Sequence, residues 1–141
     1  MHHFRTCRRI SVLLLLLVFC NCKNYRISQL ESAVGTSLDN PQLVDSDEGM
    51  DEMTGDRYFV SKYLLSKSDK EKLLMNRTFT PLTNFSELEH TKLSPFLSEE
   101  RKYLIRSAVD DKEVIYIILA EDNPILIFAY AQFSAPNKRF P

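Results

Sequence analysis

Residues Lys112 to Phe133 read Lys-Glu-Val-Ile-Tyr-Ile-Ile-Leu-Ala-Glu-Asp-Asn-Pro-Ile-Leu-Ile-Phe-Ala-Tyr-Ala-Gln-Phe, and they constrain the fold more than any other stretch. Two apolar runs rich in β-branched and aromatic residues flank the turn-forming Glu121-Asp122-Asn123-Pro124, the pattern of a β-hairpin. A loop of Asp122-Asn123 and a loop of Glu121 to Pro124 give the same register. Ala120 then stands opposite Ile125, Ile118 opposite Ile127 and Tyr116 opposite Ala129. The other face carries Ile115, Ile117 and Leu119 against Leu126, Phe128 and Tyr130. A half-exposed hairpin alternates apolar with polar, and this one does not, so both faces are expected to be covered. The face bearing Tyr116, Ile118, Ile127 and Ala129 is thinned by Ala129 and Ala131. It is the candidate interaction face, for helix docking or for self-association through the hairpin.

The hairpin belongs to a chain of 141 residues, a length that suits one domain. The first residues stand apart from it. Met1 to Arg9 is short and basic, with Arg5, Arg8 and Arg9, and Ile10 to Phe19 is an almost unbroken apolar run. A bilayer span needs about 20 apolar residues, so this shorter run after a basic start reads as a signal peptide.

The signal run ends in Phe19-Cys20-Asn21-Cys22-Lys23. This stretch resembles a relaxed bacterial lipobox of the spirochaete kind; the strict form has a small residue where Asn21 stands and leucine where Phe19 stands. The resemblance covers the first 23 residues and implies that Cys22 is lipidated and becomes the mature N-terminus, anchoring the chain to a membrane. An ordinary secretory signal, cut before Lys23 with Cys20 and Cys22 upstream of the cut, is the alternative. Both readings export the mature chain, to a bacterial envelope in the first case and to the extracellular medium in the second. All three cysteines, Cys7, Cys20 and Cys22, lie in or beside the signal. Neither a disulfide framework nor a cysteine metal site is expected beyond it.

Charge divides the chain again. Taking the three arginines of residues 1–22 from the 18 basic residues leaves 15 against 19 acids, a net of −4 from Cys22 onward. A nucleic-acid partner would require a basic face, and none is expected. Asn24 to Asp56 holds eight acids and one base, Arg26, with few large apolar side chains. Such a composition buries too little to offset the entropy of ordering, so residues 23–56 read as an acidic flexible tether, with a short helix near Ile27 to Val34. The domain is expected to run over 57–135, and Pro136 to Pro141 reads as a frayed tail.

Asp45, Asp47 and Asp51 stand at positions one, three and seven of a calcium-loop spacing, but Gly49, Met50 and Asp56 fill the remaining positions with the wrong residues. A solvated acidic linker fits better.

Within the domain, Arg57 to Lys67 has the i, i+4 pairs Phe59/Tyr63 and Val60/Leu64, which favour a helix, with a first strand as the alternative that stays open. Ser68 and Glu71 form a capping-box pattern for a helix through Met75. Arg77 to Leu82 reads as a short edge strand or loop. A second capping box runs from Ser86 to Glu89, and Ser94-Pro95 pairs an N-cap with proline at the next position. Ser98 followed by Glu99 to Val109 has the acids and Arg106 placed as the helix macrodipole favours, predicting the best helix of the chain. Helices followed by an antiparallel hairpin make the expected class α+β. A two-stranded hairpin is marginal alone, so Arg57–Leu65 or Thr78–Leu82 is expected to add a third strand.

Chemistry is sparse. His90 is the one histidine after the signal, with Glu89 beside it, and adjacent residues on a helix point apart. A hydrolytic zinc site draws on several such ligands, so no metal and no cofactor is expected. Gly35, Gly49 and Gly55, the only glycines, all lie before the domain and form no phosphate loop. The pairs Glu99-Glu100 and Asp110-Asp111 have plainer roles at helix ends. The expected function is therefore that of a non-enzymatic exported protein binding another protein or an envelope component. The alternative is a secreted eukaryotic glycoprotein acting as a ligand or inhibitor, with the sequons at Asn76 and Asn84 carrying glycan.

Overall fold

A computed structural model of the chain describes residues 25–75, 78–89, 91–136 and 139–141. The described residues form six strands and two α-helices, so the fold is α+β. The chain divides into two compact units between Gly35 and Thr36.

The first unit contributes helix α1 over residues 25–34, where the short helix near Ile27 to Val34 was expected. Leu30 and Val34, one turn apart, are its buried residues. Gly35 ends it in the left-handed region at φ 72°, with its N–H bonded to the Glu31 carbonyl. Glycine takes that conformation without a Cβ penalty.

The second unit is built on one antiparallel sheet. Its strands are β1 (Gln42–Met50), β2 (Arg57–Leu64), β3 (Thr80–Pro81), β4 (Tyr103–Val109), β5 (Glu113–Ala120) and β6 (Ile125–Gln132), in the spatial order β1-β2-β6-β5-β4-β3. The β5–β6 hairpin sits at the centre with the register anticipated from its turn: Tyr116 pairs with Ala129 and Ile118 with Ile127. It is the middle of a larger sheet than the small one expected. Both segments proposed for a third strand join it, β2 beside β6 and the two-residue β3 at the far edge beside β4.

Residues on both hairpin faces are buried. One face sets Val114, Ile118, Ala120, Ile127, Ala129 and Ala131 beside Val60 of β2 and Tyr103 of β4. Leu88, Leu93, Phe96, Phe133 and Phe140 close over it. The single-turn 3-10 helices Phe85–Glu87 and Ser94–Phe96 replace the α-helix expected after Ser86, and the latter carries its proline at the start, as Ser94-Pro95 suggested. Ala129 and Ala131 thin this face enough to admit these bulky side chains. The opposite face carries the buried Tyr63, Ile117, Leu119, Leu126 and Phe128.

Four expectations are corrected. Arg57–Leu64 is a strand, the alternative to the favoured helix: its neighbouring residues Val60 and Ser61, which point to opposite faces of the sheet, are both fully buried. Tyr103–Val109 is β4 rather than the chain's best helix. A free edge on β5 would leave its backbone groups without partners, and β4 supplies them along the whole strand. Asp110, expected at a helix end, instead accepts the N–H groups of Lys112 and Glu113 through Oδ1 and reverses the chain between β4 and β5.

The acidic tether is the third correction. Gln42–Met50 pairs with β2 along its length, and the boundary placed at Gly55-Asp56 falls inside the β1–β2 turn. Composition reports what side chains can bury, but β1 is held by its backbone ladder while its acids face water. The turn is fixed by Asp51 Oδ1, which accepts from Met53 N–H and Thr54 N–H, and by Gly55 at φ 74°. Finally, Pro136 to Pro141 is not a frayed tail at its end: Phe140 is buried, its ring edge-on to both Tyr58 and Tyr116. The Pro141 carbonyl accepts Lys92 N–H at 2.6 Å.

Helix α2 (Lys67–Met75) was expected, with a different cap. Ser66, not Ser68, caps it: the Ser66 hydroxyl accepts Asp69 N–H at 3.0 Å. Asp69 is fully buried and its carboxylate accepts Asp39 N–H at 2.9 Å and Lys72 Nζ at 3.2 Å. That one side chain ties the segment entering β1 to the first turn of α2. Lys70 Nζ reaches the carbonyls of Glu121 and Asn123 and steadies the central hairpin's tip.

Candidate interaction surface

The face proposed for partners belongs to the core. Ile118, Ile127 and Ala129 have no exposure, and Tyr116 is half-buried with its ring against Phe140. Burial, and secondarily the charge of Glu87, raises the Tyr116 hydroxyl above its ordinary pKa. A partner cannot reach this face without displacing the side chains that cover it. Cys22, Asn76 and His90 lie outside the described residues. Asn84 is exposed, its Nδ2 donating to Glu87 Oε1 and its Oδ1 accepting from the Ser86 hydroxyl, both at 2.7 Å.

What the second unit leaves displayed is the β1 end of the sheet. β1 is the last strand on that side, and its residues are exposed almost without interruption. Leu43, Val44 and Met50 are exposed on the strand and Met53 on the turn after it. Residues 42–56 hold six acids and no base. A bulge at Val44 shifts the pairing between Leu43 and Asp45, so that Asp45 faces Lys62 and Asp47 faces Val60.

The backbone alternation along β1 follows from two hydrogen bonds. Leu65 N–H donates to Pro124 O, which turns the odd-numbered residues of β2 toward β6 and the even-numbered ones toward β1. Asp51 N–H donates to Asp56 O on the other side. Asp45, Asp47 and Gly49 therefore direct their backbone groups to β2, and Ser46 and Met50 direct theirs outward. The Ser46 N–H is taken by Asp45 Oδ1 at 2.8 Å.

The calcium spacing dissolves in this geometry. A strand spreads Asp45 and Asp47 along one face, and each carboxylate has its own partner: Ser46 N–H for Asp45, the Tyr58 hydroxyl for Asp47 at 3.2 Å, and the turn amides for Asp51. Among the described residues no group of three or more His, Cys, Asp or Glu side chains is placed to hold a metal ion. Gly49, which filled the wrong position of that motif, has a different use: it makes room for the Tyr58 ring to lie across β1. Burial, then the hydrogen bond and charge of Asp47, raise the Tyr58 hydroxyl above its ordinary pKa. Lys92 Nζ stands 5.9 Å from the centre of the same ring.

The sequence held little that pointed to this edge. Gln42–Met50 lacks the apolar alternation of a strand, and its acids argued for solvent; only the Asp51-to-Asp56 stretch, with Gly55, carries a turn signal. Among the described residues no helix is long and apolar enough to cross a membrane. Comparison with protein-family models, curated proteins and solved structures gives no match.

Proposed function

We propose that this chain is exported, lipid-anchored at Cys22, and that its sheet domain is a non-enzymatic module that binds another protein or an envelope component. The observation that carries the reading is the N-terminal pattern: the basic start with Arg5, Arg8 and Arg9, the apolar run Ile10 to Phe19, and Cys22 immediately after it. A lipid at Cys22 holds the chain at a membrane and leaves the sheet domain facing the aqueous side. The domain's apolar faces are occupied by its own side chains, and its displayed strand, β1, is acidic. Both features suit recognition at a surface rather than uptake of a small molecule. The glycines likewise serve structure: Gly35 and Gly55 take positive φ, and Gly49 admits an aromatic ring.

The test is the intact mass of the mature N-terminal peptide. A diacylated or triacylated Cys22 is the expected result. A mature chain beginning at an unmodified Lys23 would overturn lipid anchoring and favour the secreted reading. Exposure of Asn84 supports that second reading, a glycosylated soluble ligand or inhibitor, and glycan mass on Asn84 would establish it.

A further inference from the structure

We propose that the outer edge of β1 takes up an extended basic segment of a partner protein as an added antiparallel strand. The inference rests on the reading of this domain as a binding module and names the chemistry of its partner. β1 ends the sheet order, so no strand of the described residues pairs with its outer side. The alternation derived above turns the backbone of Met50 and the carbonyl of Ser46 to that side. Strand addition uses such a row for affinity and takes specificity from side chains that alternate between the two faces.

The side chains select the occupant. Asp45 and Asp47 project on one face, and Glu48 with the exposed Met50 on the other, so a strand with lysine or arginine between apolar residues meets opposite charge on either face. Lys62, across from Asp45, and Arg57, across from Met50, are the bases on the neighbouring strand; between Gln42 and Asp56 there is none. A second copy of the chain is excluded by the same acids. Two β1 strands laid antiparallel would set Asp45, Asp47 and Glu48 of one copy against those of the other, like charges opposite like. The charge thus closes the edge to self-pairing and leaves it open to a basic strand, one feature serving both ends of specificity. The Val44 bulge and the Asp45 carboxylate on Ser46 N–H end the usable edge on its N-terminal side, so the added strand is centred near Glu48 and Met50.

The experiment uses the mature chain and three capped synthetic peptides: alternating valine and lysine, alternating valine and glutamate, and the lysine peptide N-methylated at alternate backbone positions. Binding is followed by titration, and amide exchange is read residue by residue. The lysine peptide should bind and slow exchange of the Met50 amide, while the amides of Asp45, Asp47 and Gly49, already directed to β2, change little. The Asp45→Asn, Asp47→Asn, Glu48→Gln triple variant, whose amide oxygens can still accept the hydrogen bonds of Ser46 N–H and the Tyr58 hydroxyl, should keep the parent's circular dichroism and bind about tenfold more weakly. Besides a failure of the lysine peptide to bind, four results would overturn the proposal. They are binding of the N-methylated peptide as tightly as its parent, equal binding of the glutamate peptide, protection centred away from β1, and a concentration-dependent dimer of the mature chain that protects Met50. None of these depends on the mass of the mature N-terminus, so failure of strand addition and failure of lipid anchoring are read separately.

Discussion

Gly49 lies directly across the β1–β2 ladder from Tyr58, and a Cβ built on Gly49 would come within 2.5 Å of the Tyr58 ring. Neither residue is explained alone. The ring cannot swing away freely, because its hydroxyl donates to Asp47 and its edge packs on Phe140. Glycine on an edge strand weakens the strand, and an aromatic laid over it restores contact that a side chain would otherwise make.

Gly49→Ala should therefore destabilise the domain by about 1 to 3 kcal/mol through overpacking, despite alanine's ordinarily better backbone entropy. In Tyr58→Ala the obstruction is gone, so the double variant should lose clearly less than the two single losses added together. Urea melts of the four proteins measure this. Additive losses would mean that the ring does not hold its position over Gly49.

Asp69 makes stability depend on pH. Burial alone would raise its carboxyl, but the hydrogen bonds from Asp39 N–H, Ser66 and Lys72 prevail and hold it below the ordinary carboxylate value. A depressed folded-state pKa contributes stability that is complete above the unfolded value, about 3.9, and is lost as pH falls through the lower folded-state value. Asp69→Ala should cost about 1.5 to 3 kcal/mol at neutral pH, the range for a buried charged hydrogen-bond partner. The gap between variant and parent should narrow as pH falls below the unfolded carboxyl value and through the lower folded-state one. A gap that persists in strong acid would assign the loss to packing instead.

The hairpin could be read from its residues because its signal is local. Alternating apolar faces and a turn at Glu121 to Pro124 fix Ile118 against Ile127 before any other element is known. What was not legible depended on partners distant in sequence. Tyr103–Val109 carries helical cues in its own residues, and only the open edge of β5 makes it a strand. β1 carries almost no strand cue, because the backbone of β2 holds it while its side chains stay in water. The same logic misplaced the interaction face: the residues that thin one side of the hairpin, Ala129 and Ala131, invite a cover, and sequence could not say that Phe96, Phe133 and Phe140 supply it.

Both hairpin faces should consequently behave as core. Phe128 is almost fully buried and edge-on to Phe59, and Ile127 on the opposite face is fully buried. Phe128→Ala should cost about 3 to 5 kcal/mol and Ile127→Ala about 2 to 5. Against a total stability of about 5 to 15 kcal/mol, either leaves a substantially weakened domain. Thermal melts with sedimentation distinguish this from a split by face. If Ile127→Ala kept its parent's stability and only its association state changed, that face would be an interface and not a core.

The end of the chain offers the last test. Phe140 is buried with its ring 6.4 Å from that of Tyr58 and 5.8 Å from that of Tyr116, both at steep angles. Such edge-on pairs add about 0.5 to 1.5 kcal/mol each beyond the area they bury. Phe140→Ala should thus destabilise the domain by about 3 to 5 kcal/mol, comparable to Phe128→Ala although it lies one residue from the last. Phe140→Leu keeps most of the volume and loses the ring geometry, so it should recover more than half of that loss. Because the ring touches both tyrosines, their near-ultraviolet circular dichroism should change in the variants before the far-ultraviolet sheet signal does. An alanine variant as stable as its parent, with unaltered tyrosine signals, would return residues 139–141 to the status of a tail.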